Sequence, residues 1–268
     1  MIDLHIHSHY SDGQDSRERL LEIVVERGVG LCSITDHNYI HPSMVSPVVG
    51  IRVIEGVEIS SVDRVTGQSL HILGYSKKFN TLKLNAALAP VLDGYNRRAQ
   101  HIIVSLNQRF GCALDFEKLK SNSPAMFVSR NMIASVLRRQ PGVSLSPQEA
   151  VREAYVRGEN DSFMPDIREA IELIRQCDGV AVLAHPGNLA EKIDLSDLVA
   201  RLAQVGLIGL EAYYPTHDES VVVSLCNLAA QNGLITTAGS DWHGPDFSRH
   251  PIGMKTPEDI GDDLLRRL

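Results

Sequence analysis

Two histidines spaced two apart, in Asp3-Leu4-His5-Ile6-His7, are followed at once by Ser11-Asp12-Gly13. Alternate residues of a β-strand share a face, so His5 and His7 point the same way, about 6.6 Å apart at the usual rise, while Leu4 and Ile6 point the other way. Two imidazoles at that spacing can grip one metal ion; two hydrogen-bonded histidines near a strand end give the same pattern. A short apolar run stopping in Ser-Asp-Gly reads as a buried strand that hands polar residues to a loop at its C-terminal end. Barrel enzymes carry their chemistry at that end.

The pattern recurs along the chain. His37 follows a run at 31–35, Glu58 lies in 52–60, His71 in 70–75, His185 directly after 180–184, and Asp241 and His243 after 234–238. With His5, His7 and Asp12 these make nine imidazole and carboxylate side chains, holding six of the eleven histidines. Nine donors are too many for one tetrahedral ion, so two or three divalent ions are implied, with Glu58 a natural bridge because a carboxylate has two oxygens. The nitrogen and oxygen mixture suits Zn, Mn or Fe and disfavours calcium.

The elements that must position these groups follow a βα rhythm. Residues 16–28 read as an amphipathic helix with Ser16 as N-cap and Gly28 as stop, and strand, helix and strand together predict a βα unit with parallel strands. A polar turn at 63–68 precedes the strand that carries His71. From 82 to 164 the periodicity is helical, over 88–110, 129–139 and 147–157, with Arg97, Arg98, Arg130, Arg138, Arg139, Arg152 and Arg157 among its basic residues. This predicts a helical insertion at 81–164, a substrate lid beside the strand ends, between barrel segments 1–80 and 165–268. Most of those arginines read as decoration of exposed helix faces. Helices at 165–176, 196–205, 220–232 and 257–268 alternate with the last strands, which makes seven strands in all.

Length and composition are compatible with this reading. The 268 residues suffice for one large α/β domain with an insertion, and 43% hydrophobic with 22% charged residues is ordinary for a globular protein. There is no run of eighteen apolar residues and no signal-like stretch before the first strand, so no membrane association and a cytoplasmic location are expected. Cys32, Cys112, Cys177 and Cys226 are scattered and read as buried free thiols. A formal charge of −7 argues against binding extended nucleic acid.

Taken in order, Asp-Leu-His-Ile-His with Ser-Asp-Gly, Ile34-Thr35-Asp36-His37, Gly56-Val57-Glu58-Ile59, His71-Ile72-Leu73-Gly74, Ala184-His185-Pro186-Gly187 and Gly239-Ser240-Asp241-Trp242-His243-Gly244 resemble the polymerase-and-histidinol-phosphatase (PHP) phosphoesterases. The resemblance covers nearly the whole chain. It implies an α/β fold, a distorted (β/α)7 TIM-like barrel, with a trinuclear site on the strand C-terminal face. On that resemblance His5, His7, Glu58 and Asp241 hold the first ion, Glu58, His71 and His185 the second, and Asp12, His37 and His243 the third. It implies hydrolysis of a phosphate ester by a metal-bridging hydroxide, held by Glu58 and Asp241, on a small sugar or nucleotide phosphate. One variant acts on nucleoside 3′,5′-bisphosphates and the ends of short oligoribonucleotides; another opens a sugar 1,2-cyclic phosphate. Histidinol-phosphate phosphatase and a non-catalytic metal-binding module are the remaining alternatives.

For substrate binding the resemblance points to Arg130, in Ser129-Arg130-Asn131-Met132-Ile133-Ala134, as a bidentate phosphate fork. It also points to His217, in Tyr214-Pro215-Thr216-His217, to bind phosphate or protonate a leaving oxygen. Met132 and Asn131 depart from the family's usual His and Pro. His101, His41 and His250 read as surface or loop residues, and Trp242 as packing under the site.

Overall fold

In the computed structural model, which describes residues 1–42, 50–155, 161–189, 192–257 and 259–268, seven strands form one sheet in chain order. They are β1 (Ile2–Ile6), β2 (Leu31–Ile34), β3 (Arg52–Asp63), β4 (Gln68–Ser76), β5 (Val180–Leu183), β6 (Leu207–Tyr213) and β7 (Ile235–Ala238). The helices are α1 (Arg17–Glu26), α2 (Thr81–Phe110), α3 (Phe116–Ser121), α4 (Arg130–Leu137), α5 (Pro147–Glu153), α6 (Ile167–Gln176), α7 (Leu195–Gln204), α8 (Glu219–Gln231) and α9 (Asp259–Arg267). Their starts follow from capping chemistry. Ser16, Asn80, Asp115, Ser129, Ser146, Asp166, Asp194 and Asp218 each accept a hydrogen bond from a first-turn backbone N–H.

The strands are not all parallel. β1 to β3 and β5 to β7 are, but β4 runs antiparallel to both β3 and β5. The physical reason is the short polar turn after Asp63: a few residues can reverse a chain, whereas a parallel partner needs a crossover of a dozen or more. A strict alternation of strand and helix is therefore interrupted between β3 and β4. The reversal still delivers His71, because the N-terminal half of an antiparallel strand lies level with the C-terminal ends of its parallel neighbours. His71 is opposite Ser60 of β3, and its carbonyl accepts from Ala184 N at 3.1 Å, one residue before His185.

The sheet curls. Leu4, Leu31, Ile54, Tyr75, Val182 and Ile235, from six of its strands, share one apolar cluster, so both ends of the strand order face a common interior. At the rim Asp241 N donates to His5 O and His7 N to Trp242 O, each at 2.8 Å. Gly239 allows that approach: a Cβ there would come within 2.2 Å of the His5 Cβ.

Helix α2 links two packing regions. Leu84, Leu88 and Val91 in its first half join the core between the sheet and α6 and α7. Ile102, Ile103 and Leu106 in its second half pack with Leu119, Ile133, Leu137 and Ala150 of α3, α4 and α5. This helix starts at Thr81, earlier than periodicity indicated, and keeps Pro90 inside it. The short α3 had no counterpart in the sequence reading, and Arg157 lies outside the described residues. The four cysteines are free thiols, Cys32 and Cys177 buried and Cys112 and Cys226 half-buried. Among the described residues no helix is long and apolar enough to cross a membrane.

Candidate metal centre

The nine side chains singled out by type and position converge at the rim of the curled sheet. His5 and His7 leave β1 on one face, as strand alternation requires, and their Nε2 atoms stand 3.1 Å apart. Each is 3.2 Å from Glu58 Oε2, and they lie 3.3 and 3.1 Å from Asp241 Oδ1. Five separations among these four atoms thus fall between 3.1 and 3.3 Å. A regular tetrahedron of such an edge has its vertices about 2.0 Å from its centre, the length of a zinc–nitrogen or zinc–oxygen bond and too short for calcium. The donor set fits a small divalent ion.

Glu58 faces two ways. Oε2 belongs to the tetrahedral group and is 3.2 Å from His37 Nδ1, whereas Oε1 lies 2.9 Å from His71 Nδ1 and 3.3 Å from His185 Nε2. On the far side of His7, Asp12 Oδ1 is 3.2 Å from His243 Nε2 and 3.6 Å from His7 Nδ1, and Asp12 Oδ2 is 3.8 Å from His37 Nε2. Three overlapping groups can each surround an ion: His5, His7, Glu58 and Asp241; His37, Glu58 and His71; and His7, Asp12, His37 and His243. His37 stands between the second and third groups, and His7 joins the third as well as the first. The His7 Nδ1 atom is buried without a hydrogen-bond partner among the described residues. Such an orphan is costly in a packed interior unless something supplies the missing charge or contact.

Residues behind these donors fix their orientation, and the sequence reading missed them. Buried Glu211, in β6, accepts from His5 Nδ1 at 3.0 Å and from the backbone N–H of His185 at 2.8 Å. A carboxylate there makes Nδ1 the protonated nitrogen, leaving the His5 Nε2 lone pair aimed into the tetrahedron. Tyr214 Oη donates to Asp241 Oδ2 at 2.8 Å, which turns Oδ1 toward the two histidines. Asp36 accepts from Ser8 N, Ser8 Oγ and Ser11 Oγ at 2.8, 2.6 and 2.5 Å, and so pins the loop that presents Asp12. The available signal for Glu211 was a carboxylate at the end of an otherwise apolar strand, since a charge buried there needs partners.

The backbone is strained where it turns out of the strands. Asn38, His185 and Asp241 have φ of 57°, 32° and 53°. Left-handed backbone at such residues costs of order 1–3 kcal/mol each and persists where the surroundings hold it. Two of the three are among the nine converging residues, and the third directly follows His37.

Electrostatics sort the same groups. Burial opposes the charge on Glu58 and Asp241, but neighbouring imidazoles, His71 and His5 for Glu58, His5 and His243 for Asp241, hold both carboxyls well below the usual range. Burial likewise disfavours a cationic His7, yet hydrogen bonds to Asp241 and Glu58 raise it to about 10. His37 goes the other way, to about 4, because burial dominates and the His7 and His71 charges offset part of the pull of Glu58 and Asp12.

Above the donors opens a cavity of about 680 Å³ whose far wall comes from the helical segment, with Arg98, Arg130, Asn131, Gln148 and Arg152 among its lining. Arg130, the first residue of α4, faces this cavity and its guanidinium carbon lies 4.6 Å from the centre of the Tyr155 ring. Asn131 Nδ2 donates to Asp12 Oδ2 at 3.3 Å, joining α4 directly to the third group. His217 is placed otherwise than the sequence reading expected. Its Nδ1 donates to Ala212 O at 2.9 Å, its Nε2 accepts from Gly187 N at 3.1 Å, and it does not line the cavity. Both ring nitrogens are thus engaged by backbone. His101 and His250 are exposed, His41 stacks on Tyr10 with ring centres 3.6 Å apart, and Trp242 donates to Asp15 Oδ2 at 2.8 Å.

No family model matches the chain. It is 30% identical over 266 residues to the phosphoribosyl 1,2-cyclic phosphate 1,2-diphosphodiesterase of Eggerthella lenta, covering 95% of this chain and 98% of that one. It is 31% identical to the 5′-3′ exoribonuclease Rnm of Escherichia coli, over 91% and 86% of the two chains. It is 26% identical to the 3′,5′-nucleoside bisphosphate phosphatase of Chromobacterium violaceum, over 94% and 90%. Among solved structures, a Bifidobacterium adolescentis protein taken to be a metal-dependent phosphoesterase superimposes with a TM-score of 0.82 at 24% identity, over 99% of this chain and 95% of that one.

Proposed function

The chain belongs to the PHP family of metal-dependent phosphoesterases, and we propose that it hydrolyses a phosphate ester of a small nucleotide, a nucleoside 3′,5′-bisphosphate or the phosphorylated end of a short oligoribonucleotide. The observation that carries this reading is the tetrahedron of His5, His7, Glu58 and Asp241 donors beneath a cavity whose opposite wall presents arginines. Arginines meet negative charge at one end of the cavity, and ions held by the donors would meet it at the other, which suits a substrate with one reacting and one remote phosphate. The curled sheet with its β1 to β7 contacts is read as the family's distorted (β/α)7 barrel, and α2 to α5 as the lid over its rim.

Two or three divalent ions of the Zn, Mn or Fe type are assigned to the three donor groups, with Glu58 shared by the first two and His185 completing the second. When bound, the ions supply Lewis acidity toward phosphoryl oxygens and lower the pKa of the attacking water. The chain does the rest by placement. Glu211 fixes the His5 tautomer, Tyr214 orients Asp241, and Asn131 holds Asp12. Arg130 binds the remote phosphate and sets how far the scissile phosphorus lies from the donors. The water oxygen bonds to phosphorus, the ester P–O bond breaks, and the departing oxygen takes up the proton that the water gives up. His217 is given the task of holding the Pro186–Leu189 turn rather than donating that proton, since both its nitrogens meet backbone.

Opening of a sugar 1,2-cyclic phosphate is the second reading, favoured by the Eggerthella lenta relative, which this chain matches over nearly its full length. A screen of metal-loaded protein separates the two: phosphate release from 3′,5′-bisphosphates should exceed turnover of 1,2-cyclic phosphates at least about tenfold in kcat/KM, a gap of 1.4 kcal/mol. The reverse order would transfer the assignment to the cyclic substrate, and inertness toward both would remove it.

Metal uptake should also release protons. His7, raised to about 10 in the metal-free chain, carries a proton at pH 7, and a ligating imidazole must be neutral. Affinity for Zn²⁺ or Mn²⁺ therefore rises as pH increases from 6 to 8. Calorimetric titrations in buffers of different ionisation heat read the proton count; a count of zero at pH 7 would contradict the charge placed on this histidine.

A further inference from the structure

A second cavity, of about 520 Å³, lies against the first and shares Asp12, Asn131 and Phe247 with it. One face of α4 forms its wall: Asn131, Met132, Ser135 and Val136 line it, followed by Arg139 just past the helix. Spacings of one, four, five and eight residues from Asn131 repeat with the turn of a helix, so these groups form a continuous strip. The strip starts at the Asn131 contact with Asp12 and leads away from the donors toward Arg139. On the other side α3 supplies Lys118, and Gln14 comes from the loop that carries Asp12.

The chemistry of this groove is that of a strand-binding surface. Lys118 and Arg139 are exposed, and neither forms an ion pair among the described residues. Asp115, which also lines the groove, has Oδ1 engaged by Lys118 N as the cap of α3. Asn122, Ser123 and Gln140 add neutral donors and acceptors. Half-buried Phe247 stands where the two cavities meet and offers a face on which a base can stack. Cations for a phosphodiester, amides for sugars and base edges, and an aromatic face at the junction are the components that hold single-stranded nucleic acid.

We propose that this groove binds the continuation of an oligoribonucleotide whose terminal phosphate sits at the donor cluster, so that chain length is read by Lys118 and Arg139. The inference rests on the phosphoesterase assignment above and adds to it a site that a mononucleotide does not reach. It also separates two uses of one centre: the first cavity suffices for a bisphosphate, while the groove engages only a longer substrate.

The test compares wild type with the K118S/R139S double variant on three substrates: p-nitrophenyl phosphate, adenosine 3′,5′-bisphosphate and 5′-phosphorylated tetraadenylate. The variant should lose about tenfold or more in kcat/KM on the tetranucleotide, chiefly through KM, and stay within about twofold on the other two. Fluorescence anisotropy of a 3′-labelled tetraadenylate gives a second readout, in which the slope of log Kd against log salt should shrink by about 1.4 for two lost phosphate contacts to a single strand. Equal effects on all three substrates, or no effect on the tetranucleotide, overturn the groove and leave the phosphoesterase reading in place. A wild-type protein inert toward every one of the three overturns both.

Discussion

Glu58→Ala is expected to abolish measurable phosphate release, a fall of roughly 10³-fold or more, or about 4 kcal/mol of transition-state stabilisation. No other side chain in the cluster meets as many imidazoles. One oxygen faces His5, His7 and His37, the other His71 and His185. Its loss therefore opens the tetrahedral group and the neighbouring group together, and bound metal should fall by more than one ion per chain when measured by elemental analysis. Glu58→Gln controls for shape, since it keeps the volume inside β3 while removing the charge, and it should be nearly as inactive. Asp12→Ala is the contrast: Asp12 belongs to the third group alone, so turnover drops by orders of magnitude while the ion within the His5, His7, Glu58 and Asp241 tetrahedron stays bound. Circular dichroism distinguishes either result from misfolding. Metal content and activity near wild type in Glu58→Ala would sink the assignment of this carboxylate as the bridge.

Why these nine residues could be picked out without a structure is a matter of where strands end. A strand that runs from apolar residues into His or Asp announces its polar end, and His5, His7, His37, His185, Asp241 and His243 all lie at such ends. Strand periodicity, however, reports which face a side chain takes and says nothing of direction, so the reversal of β4 was open to inference only from the few residues after Asp63. Glu211 illustrates a second limit. It occupies the end of an apolar strand like the others, but it faces the back of His5 and not the cluster itself, a distinction set by neighbouring strands far away in sequence. His217 shows a third limit: a polar loop residue beside the right strand reads as a substrate group, and only the folded chain shows its ring tied to the carbonyl of Ala212 and the amide of Gly187. The arginines of the helical segment are the hardest case. Their helix positions were readable, but which of them lines the cavity depends on how α4 and α5 pack on each other, and that is decided by Ile133, Leu137 and Ala150 in a shared core.

Arg130→Ala tests whether that packing serves the reaction. If the guanidinium binds a remote phosphate, its removal deletes a charge-assisted bidentate contact, worth roughly 2–5 kcal/mol, or about 30-fold to several thousandfold in kcat/KM. The loss should be full on a nucleoside 3′,5′-bisphosphate and shrink on an aryl phosphate, which has no second phosphate to hold. Arg130→Lys should recover little, because a point charge reproduces neither the planar fork nor the stacking of the guanidinium beside Tyr155. Stability should change little in either variant, since Arg130 is the first residue of α4 and Ser129, which caps the helix by accepting from Met132 N, is untouched. Thermal unfolding checks that point independently of activity. The ratio of effects on the two substrates is the informative quantity: a uniform loss would mean that Arg130 acts on the reacting phosphate, and no loss on either would leave substrate selection to the barrel rim and return this arginine to the decorated face of its helix.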